Sequence, residues 1–406
     1  MTGAAADPDR RDGAMPGAEP PCKADAARKR IEAVDLLRGL MVALMVLDHT
    51  REYFSAEALR FDPLDLSRTT AWLFATRWAT HLCAPTFVFL AGASVHLQRL
   101  AGKPEGAVRR QLLTRGLWLI LLELTVIGFA FNFAEPFLFL QVIWAIGLGM
   151  VALAACTALP HAMVGLVGLA SLALTPRLAA ALAPLLPAPL WHVLLAPGPL
   201  TPLPGVAVYP ALPWFGILAI GYAAAPALAC APALLRKRAL AASAALIACF
   251  AVMRLAHVGD VRSGGGGSGP ALRLLSYIDI SKYPPSLQYA ALTLGVSALL
   301  LAVLTRVPAS RLPMLKAFGS APFFTYVLHI FIVHVLALST GLALGIPASA
   351  FTHFIEGTQG LKAAGWGFGL PVVYFVWIAV LLILRPLAIR FSALKRRGDR
   401  WWLSYL

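Results

Sequence analysis

Two pairs of residues in this 406-residue chain have the types and spacing to move protons. Asp48 and His49 are adjacent in LMVLDHTREYF. Arg77 and His81 stand four apart in TRWATHLCAPTFVFLAGAS, which puts them on one helical face. An imidazole beside a carboxylate can act as a general base with its orienting partner, and an arginine supplies a cation for a developing anion. What these groups can do depends on the medium that surrounds them.

That medium is a lipid bilayer. Hydrophobic residues make up 59% of the chain and charged residues 13%, about half the charged share of a soluble domain. The net charge of +15 follows from the rule that basic residues collect on the cytoplasmic side. No basic stretch interleaved with aromatics stands in a soluble segment, so nucleic acid is not among the expected partners. The five cysteines are scattered, with no CxxC pair and no disulfide framework. Residues 1–29 lack an apolar signal-peptide core and are expected to form a disordered cytoplasmic tail.

The fold class expected is an all-α polytopic transmembrane helical bundle, one domain over 30–406. About ten spans can be read, near 34–54, 79–98, 112–132, 138–157, 162–183, 209–230, 238–257, 286–304, 317–341 and 367–388. Pro176 and Arg177 interrupt the fifth. With the N-terminus and C-terminus both cytoplasmic, 24 of the 34 Lys and Arg fall on the inner side. The glycine-rich stretch around 259–273 is expected to be a flexible outer loop.

On this map Asp48 lies about 20 Å along the first helix, inside a hydrocarbon core about 30 Å thick. An aspartate there costs a few kcal/mol unless it is paired or faces a cavity. Arg77 and His81 lie at the same depth, so Asp48, His49, Arg77 and His81 are the candidate catalytic group. Gln141, Trp144, Tyr209, Trp214, Lys282, Tyr283, His329 and His334 fall on the same side or near mid-bilayer and are candidates for binding substrate. A plainer reading pairs Asp48 with Arg77 for structure and leaves the histidines at the interface. Each aromatic alone fits an interfacial belt, and Pro284 and Pro285 serve helix initiation. No spacing resembles a zinc or iron motif, and no metal is expected. Asp35 and Arg38 are expected to pair at the other end of the first helix, while Glu123 needs a partner that the sequence does not name.

The segments RIEAVDLLRGLMVALMVLDHTREYF, RWATHLCAPTFVFLAGAS, LQVIWAIGLGM, YPALPWFGILAIGY, KYPPSL and RRGDRWWLSYL together resemble bacterial members of the heparan-alpha-glucosaminide N-acetyltransferase catalytic-domain family. The resemblance covers nearly everything after Arg30. It implies a membrane acyltransferase of a cell (inner) membrane that moves an acetyl or related acyl group to a saccharide or other extracytoplasmic acceptor. Acetyl-CoA or another acyl-CoA would be the donor substrate. The matching motif residues include Asp35, Arg38, Asp48, His49, Arg77, His81, Pro85, Gln141, Trp144, Pro213, Trp214, Lys282, Tyr283 and Pro284. By alignment the lysosomal member has Asn and Asp where this chain has His49 and His81. Its proposed catalytic histidine falls near SRTTAW, where no histidine stands here.

The mechanism expected has His49 or His81 take the acceptor proton. Asp48 would orient the imidazole, and Arg77 would stabilise the oxyanion or hold a donor phosphate. An acyl-histidine route in two steps stays open. The alternative is a proton-coupled secondary transporter that uses the same Asp and His groups. The partners expected are the bilayer and a small-molecule or saccharide acceptor, with a homodimer as one open assembly.

Overall fold

The computed structural model describes residues 21–134, 136–260, 269–353 and 358–397. Ten helices form the bundle: α1 (Pro21–Phe54), α2 (Ala71–Leu100), α3 (Glu105–Asn132), α4 (Val142–Cys156), α5 (His161–Leu182), α6 (Ala211–Leu228), α7 (Pro232–Leu255), α8 (Leu287–Leu304), α9 (Pro322–Ala343) and α10 (Leu370–Arg397). They match the ten expected segments in order. Among the described residues, eight of them are long and apolar enough to cross a membrane. The other two are α1, which carries too many charges, and α4, which has 15 residues. Helix α1 begins at Pro21, inside the stretch expected to be a tail; residues 1–20 lie outside the described residues. Of the expected outer loop, 261–268 lie outside them too, and Pro270–Tyr277 is a helix.

Helix α5 runs through Pro176 without ending. A membrane helix tolerates this because neighbouring groups take up the freed carbonyl. Helix α2 does break, into Ala71–Thr80 and Cys83–Leu100. Pro85 has no N–H to give the carbonyl of His81 four residues earlier. The Tyr289 hydroxyl on α8 donates to that carbonyl instead, at 2.9 Å. The break turns the chain at His81, which is 1% exposed.

Small residues let the helices approach closely. A Cβ on Gly92 of α2 would stand 1.9 Å from the Leu218 carbonyl oxygen of α6, and one on Gly221 of α6 would stand 2.0 Å from the Phe89 oxygen of α2. Helix α1 packs against α9, α10, α8 and α2, so its polar end is enclosed by protein rather than lipid.

The chain is not purely helical. Leu138–Leu140 (β1), Gly198–Pro199 (β2) and Gly205–Ala207 (β3) form a small sheet in the order β1-β3-β2, with β1 parallel and β2 antiparallel to β3. The start of the expected fourth span is therefore a strand. Its apolar run LFL cannot be told from a helix by composition when it leads straight into one.

Candidate active site

The polar end of α1 carries Asp48, His49, Arg51 and Glu52 over one turn, all but Glu52 under a tenth exposed. Asp48 accepts four hydrogen bonds from three groups. Arg51 Nη2 donates to Oδ1 at 2.8 Å, Arg77 Nη1 donates to Oδ1 and Oδ2 at 3.0 and 3.2 Å, and Thr80 Oγ1 donates to Oδ1 at 2.9 Å. Two guanidiniums and a hydroxyl fill its acceptor positions, so Asp48 does not orient His49. That expected dyad is corrected: the carboxylate on His49 is Glu52, with Oε2 at 3.0 Å from Nδ1. The two are three residues apart on one helix and meet across a turn. A carboxylate only accepts, so Nδ1 carries the proton in the neutral ring. Nε2 makes no hydrogen bond with a described residue and is the basic nitrogen left for chemistry.

Two cavities meet here. The inner one, about 260 Å³, is lined by Asp48, His49, Glu52, Arg77, Gln141, Tyr209, Lys282, Tyr283 and Tyr326 together with Met45, Phe87, Phe139 and Val208. The outer one, about 410 Å³, is lined by Arg51, Asp62, His81, Ser281 and Thr358. Glu52, Arg77, Lys282 and Tyr283 line both.

The two walls are fixed by different devices. The small sheet places Phe139 beside Gln141 on one side and Val208 with Tyr209 on the other, through Val208 and Tyr209 N–H groups donating to the Leu140 oxygen at 3.0 and 3.2 Å. Glu123, whose partner the sequence did not name, accepts from the Gln141 and Trp144 backbone N–H groups at 3.3 and 3.2 Å. It caps the N-terminus of α4, where carbonyl partners are missing and negative charge is favoured. It sits at the head of a π-helical turn, Glu123–Ile127, a distortion that occurs frequently at functional sites.

The loop with Lys282 and Tyr283 is pinned from several sides. Asp260 accepts from Ser281 N at 2.9 Å, Arg254 donates to the Ser276 and Asp279 carbonyls, and Trp78 Nε1 donates to the Ile278 oxygen at 3.0 Å. Lys282 is 6% exposed, with Nζ 5.0 Å from the centre of the Tyr283 ring and 5.7 Å from that of Tyr209. Among the described residues it pairs with no carboxylate within 4 Å. The centre thus holds three cations (Arg51, Arg77 and Lys282) against two carboxylates.

Seven of the expected residues therefore share the inner cavity, and His81 belongs to the outer one. Trp214, fully buried, stacks behind Tyr209 at 4.7 Å and lines neither cavity. The same holds for Trp144, whose backbone is capped by Glu123. His334 is also corrected. It is clamped between the Ala130 and Phe351 carbonyls at 2.9 Å each and stacks on Phe133 at 3.8 Å, so it ties α9 to α3. His329 lines neither cavity, yet its ring lies 5.1 Å from that of His49. His49 and His81 are both buried in protein, and the Asp48–Arg77 pair of the plainer reading is present at 3.0 Å. Residues that sequence reasoning passed over are Arg51, Glu52, Thr80 and Tyr326. For Glu52 the signal was present, a carboxylate three residues after His49. Asp35 and Arg38 pair at 3.1 Å as expected.

The sequence model of the family described as heparan-alpha-glucosaminide N-acetyltransferase, catalytic, matches residues 30–255. The chain belongs to this family. The matched span runs from within α1 to the end of α7 and so includes Asp48, His49, Glu52, Arg77, His81, Gln141 and Tyr209; Lys282, Tyr283 and His329 lie beyond it. No curated protein matches the chain as a relative. The family is one of membrane acetyltransferases, and the apolar helices make this member a multi-pass membrane protein.

Proposed function

We propose that the protein transfers an acetyl or similar acyl group from acetyl-CoA or another acyl-CoA to an extracytoplasmic saccharide or related hydroxyl or amine acceptor. The observation that carries this reading is the Glu52–His49 pair at the wall of a cavity that also holds Arg77 and Lys282. His49 Nε2 takes the proton of the acceptor as that atom attacks the thioester carbon. Glu52 fixes the ring and stabilises the imidazolium, the role a carboxylate plays in a catalytic dyad. Lys282, buried and without a carboxylate of its own, and Arg77 offer positive charge to the oxyanion or to a donor phosphate. Asp48 holds the two arginines and is a positioning residue. We place the site at the extracytoplasmic end of ten crossings in a bacterial inner membrane, because the basic residues concentrate at the opposite end.

The test is thioester consumption and product formation by purified protein in nanodiscs, with acetyl-CoA and a panel of amino sugars and neutral sugars. Acceptor-dependent release of CoA supports the reading. A folded protein that consumes no thioester with any acceptor, yet moves protons across proteoliposomes, would make it a transporter and sink the proposal.

A further inference from the structure

Tyr326 on α9 lines the inner cavity with His49. It is 3% exposed, and its hydroxyl makes no hydrogen bond with a described residue. One turn further, His329 is fully buried, its Nδ1 3.2 Å from the Thr325 carbonyl oxygen and its Nε2 without a hydrogen-bond partner. The Tyr326 and His329 rings lie 5.7 Å apart, and the His329 and His49 rings 5.1 Å apart. Helix α9 thus sets Tyr326, whose buried hydroxyl is an unsatisfied donor, in the wall of the cavity that the proposed base also lines. A buried polar group with no partner loses its hydration and regains nothing, which makes an idle hydroxyl here unfavourable. Phenylalanine would fill the same volume without that loss.

We infer that Tyr326 is a catalytic residue whose hydroxyl donates a hydrogen bond to the carbonyl oxygen of the acyl group being transferred. The inference rests on the acyltransferase reading above. In the step, the lone pair of the acceptor oxygen or nitrogen forms a bond to the thioester carbon while its proton passes to His49 Nε2. The carbonyl π electrons move onto the oxygen, which becomes the oxyanion that Tyr326 stabilises. Collapse of this intermediate restores the C=O bond and breaks the C–S bond, and the thiolate leaves with the proton returned from His49. Arg77 and Lys282 sit where the two cavities join. Tyr326 lines the inner one alone, so the acyl group occupies the inner cavity and the acceptor enters through the outer.

The experiment compares Tyr326→Phe with the natural protein by transfer kinetics, melting temperature and calorimetric binding of CoA. The expected result is a fall in kcat of about 10²–10³-fold, the usual cost of one oxyanion donor. KM for the thioester and CoA binding should stay within about threefold, and melting should be unchanged or higher, because no hydrogen bond of the folded protein is removed. A variant that transfers at the natural rate, or one that loses activity only through a lower melting temperature, overturns the inference while leaving the acyltransferase reading intact. A natural protein that transfers nothing overturns both.

Discussion

The Glu52 carboxylate lies 3.0 Å from Nδ1 of His49, one turn further along the same helix. Glu52 is also the residue of this pair that both cavities share. On the acyl-transfer reading proposed above, the base is therefore oriented by a group at the junction of the two cavities. Asp48, one residue before His49, is occupied on a separate task with Arg51, Arg77 and Thr80. Adjacent residues on a helix point about 100° apart, so the two carboxylates serve different neighbours.

His49→Ala is expected to lower transfer by about 10²–10⁴-fold, the usual contribution of a positioned acid–base group. Glu52→Gln should reproduce much of that loss, because an amide cannot stabilise the imidazolium. Both should leave CoA binding within a few-fold of the natural protein. Side-by-side transfer rates decide it. Full activity in Glu52→Gln with an inactive Asp48→Asn of unchanged melting would return the orienting role to Asp48.

Melting temperatures should rank the buried ion group. Breaking a buried pair by removing one partner costs about 3–5 kcal/mol. Asp48→Ala leaves Arg77 with no carboxylate at hydrogen-bond distance, and leaves Arg51 with only Glu52 Oε1 at 3.8 Å. Arg77→Ala leaves Asp48 still bonded to Arg51 and Thr80. Asp48→Ala is thus expected to melt lowest, Arg77→Ala next and Asp48→Asn highest of the three. A reversed order of the first two would mean that Arg51 contributes little to holding Asp48.

Much of the bundle was legible because each span is an apolar run and the bilayer sets its length. Charges inside those runs stood out for the same reason, which is how Asp48 and His49 were found; Arg77, His81 and Lys282 were joined to them by their depth at the span ends. Four features were not legible. LFL at 138–140 is as apolar as the helix it precedes, so nothing marked it as a strand. Trp214 shares the depth of the cavity but lies behind Tyr209, and depth along a helix says nothing about which layer a side chain occupies. His334 was grouped with the site by depth alone, whereas two backbone carbonyls claim it. Tyr326 escaped for the opposite reason, since a tyrosine in an apolar helix is ordinary until its hydroxyl is seen to lack a partner.

The topology has a direct check. Reporter fusions after Arg238 and after Arg400 should both read as cytoplasmic, and one near Gly265 as extracytoplasmic. An odd number of crossings between Arg238 and Arg400 would overturn the placement of the site at the outer end.

Close packing of α2 on α6 should make Gly92 intolerant of any side chain. Its Cβ would lie 1.9 Å from a backbone oxygen that cannot rotate away. Gly92→Val is expected to destabilise by more than the roughly 1–3 kcal/mol usual for overpacked sites. Gly102→Val, where nothing stands within 4 Å but φ is +89°, should cost less, about 1–3 kcal/mol for the strained backbone. Equal melting temperatures for the two would show that the α2–α6 contact is looser than described.

Glu123 offers a test of how the cavity wall is held. Its carboxylate accepts from the Gln141 and Trp144 N–H groups, 18 and 21 residues on, and so fixes where α4 starts. Glu123→Gln replaces one acceptor oxygen by an NH₂ group, which donates and therefore opposes one of those N–H groups. Leaving one buried N–H unpaired costs about 1–3 kcal/mol. The helix start should then shift or fray, and Gln141, which lines the inner cavity, moves with it. Glu123→Gln is expected to lower the melting temperature and to raise KM for the thioester more than it lowers kcat, since Glu123 itself lines neither cavity. Glu123→Ala, which removes both acceptors, should do the same to a larger degree. If both variants melt lower yet keep their KM, the cap stabilises the bundle without shaping the cavity. If kcat falls alone in a protein of normal stability, Glu123 takes part in the proton transfer, and assigning it to the cap is wrong.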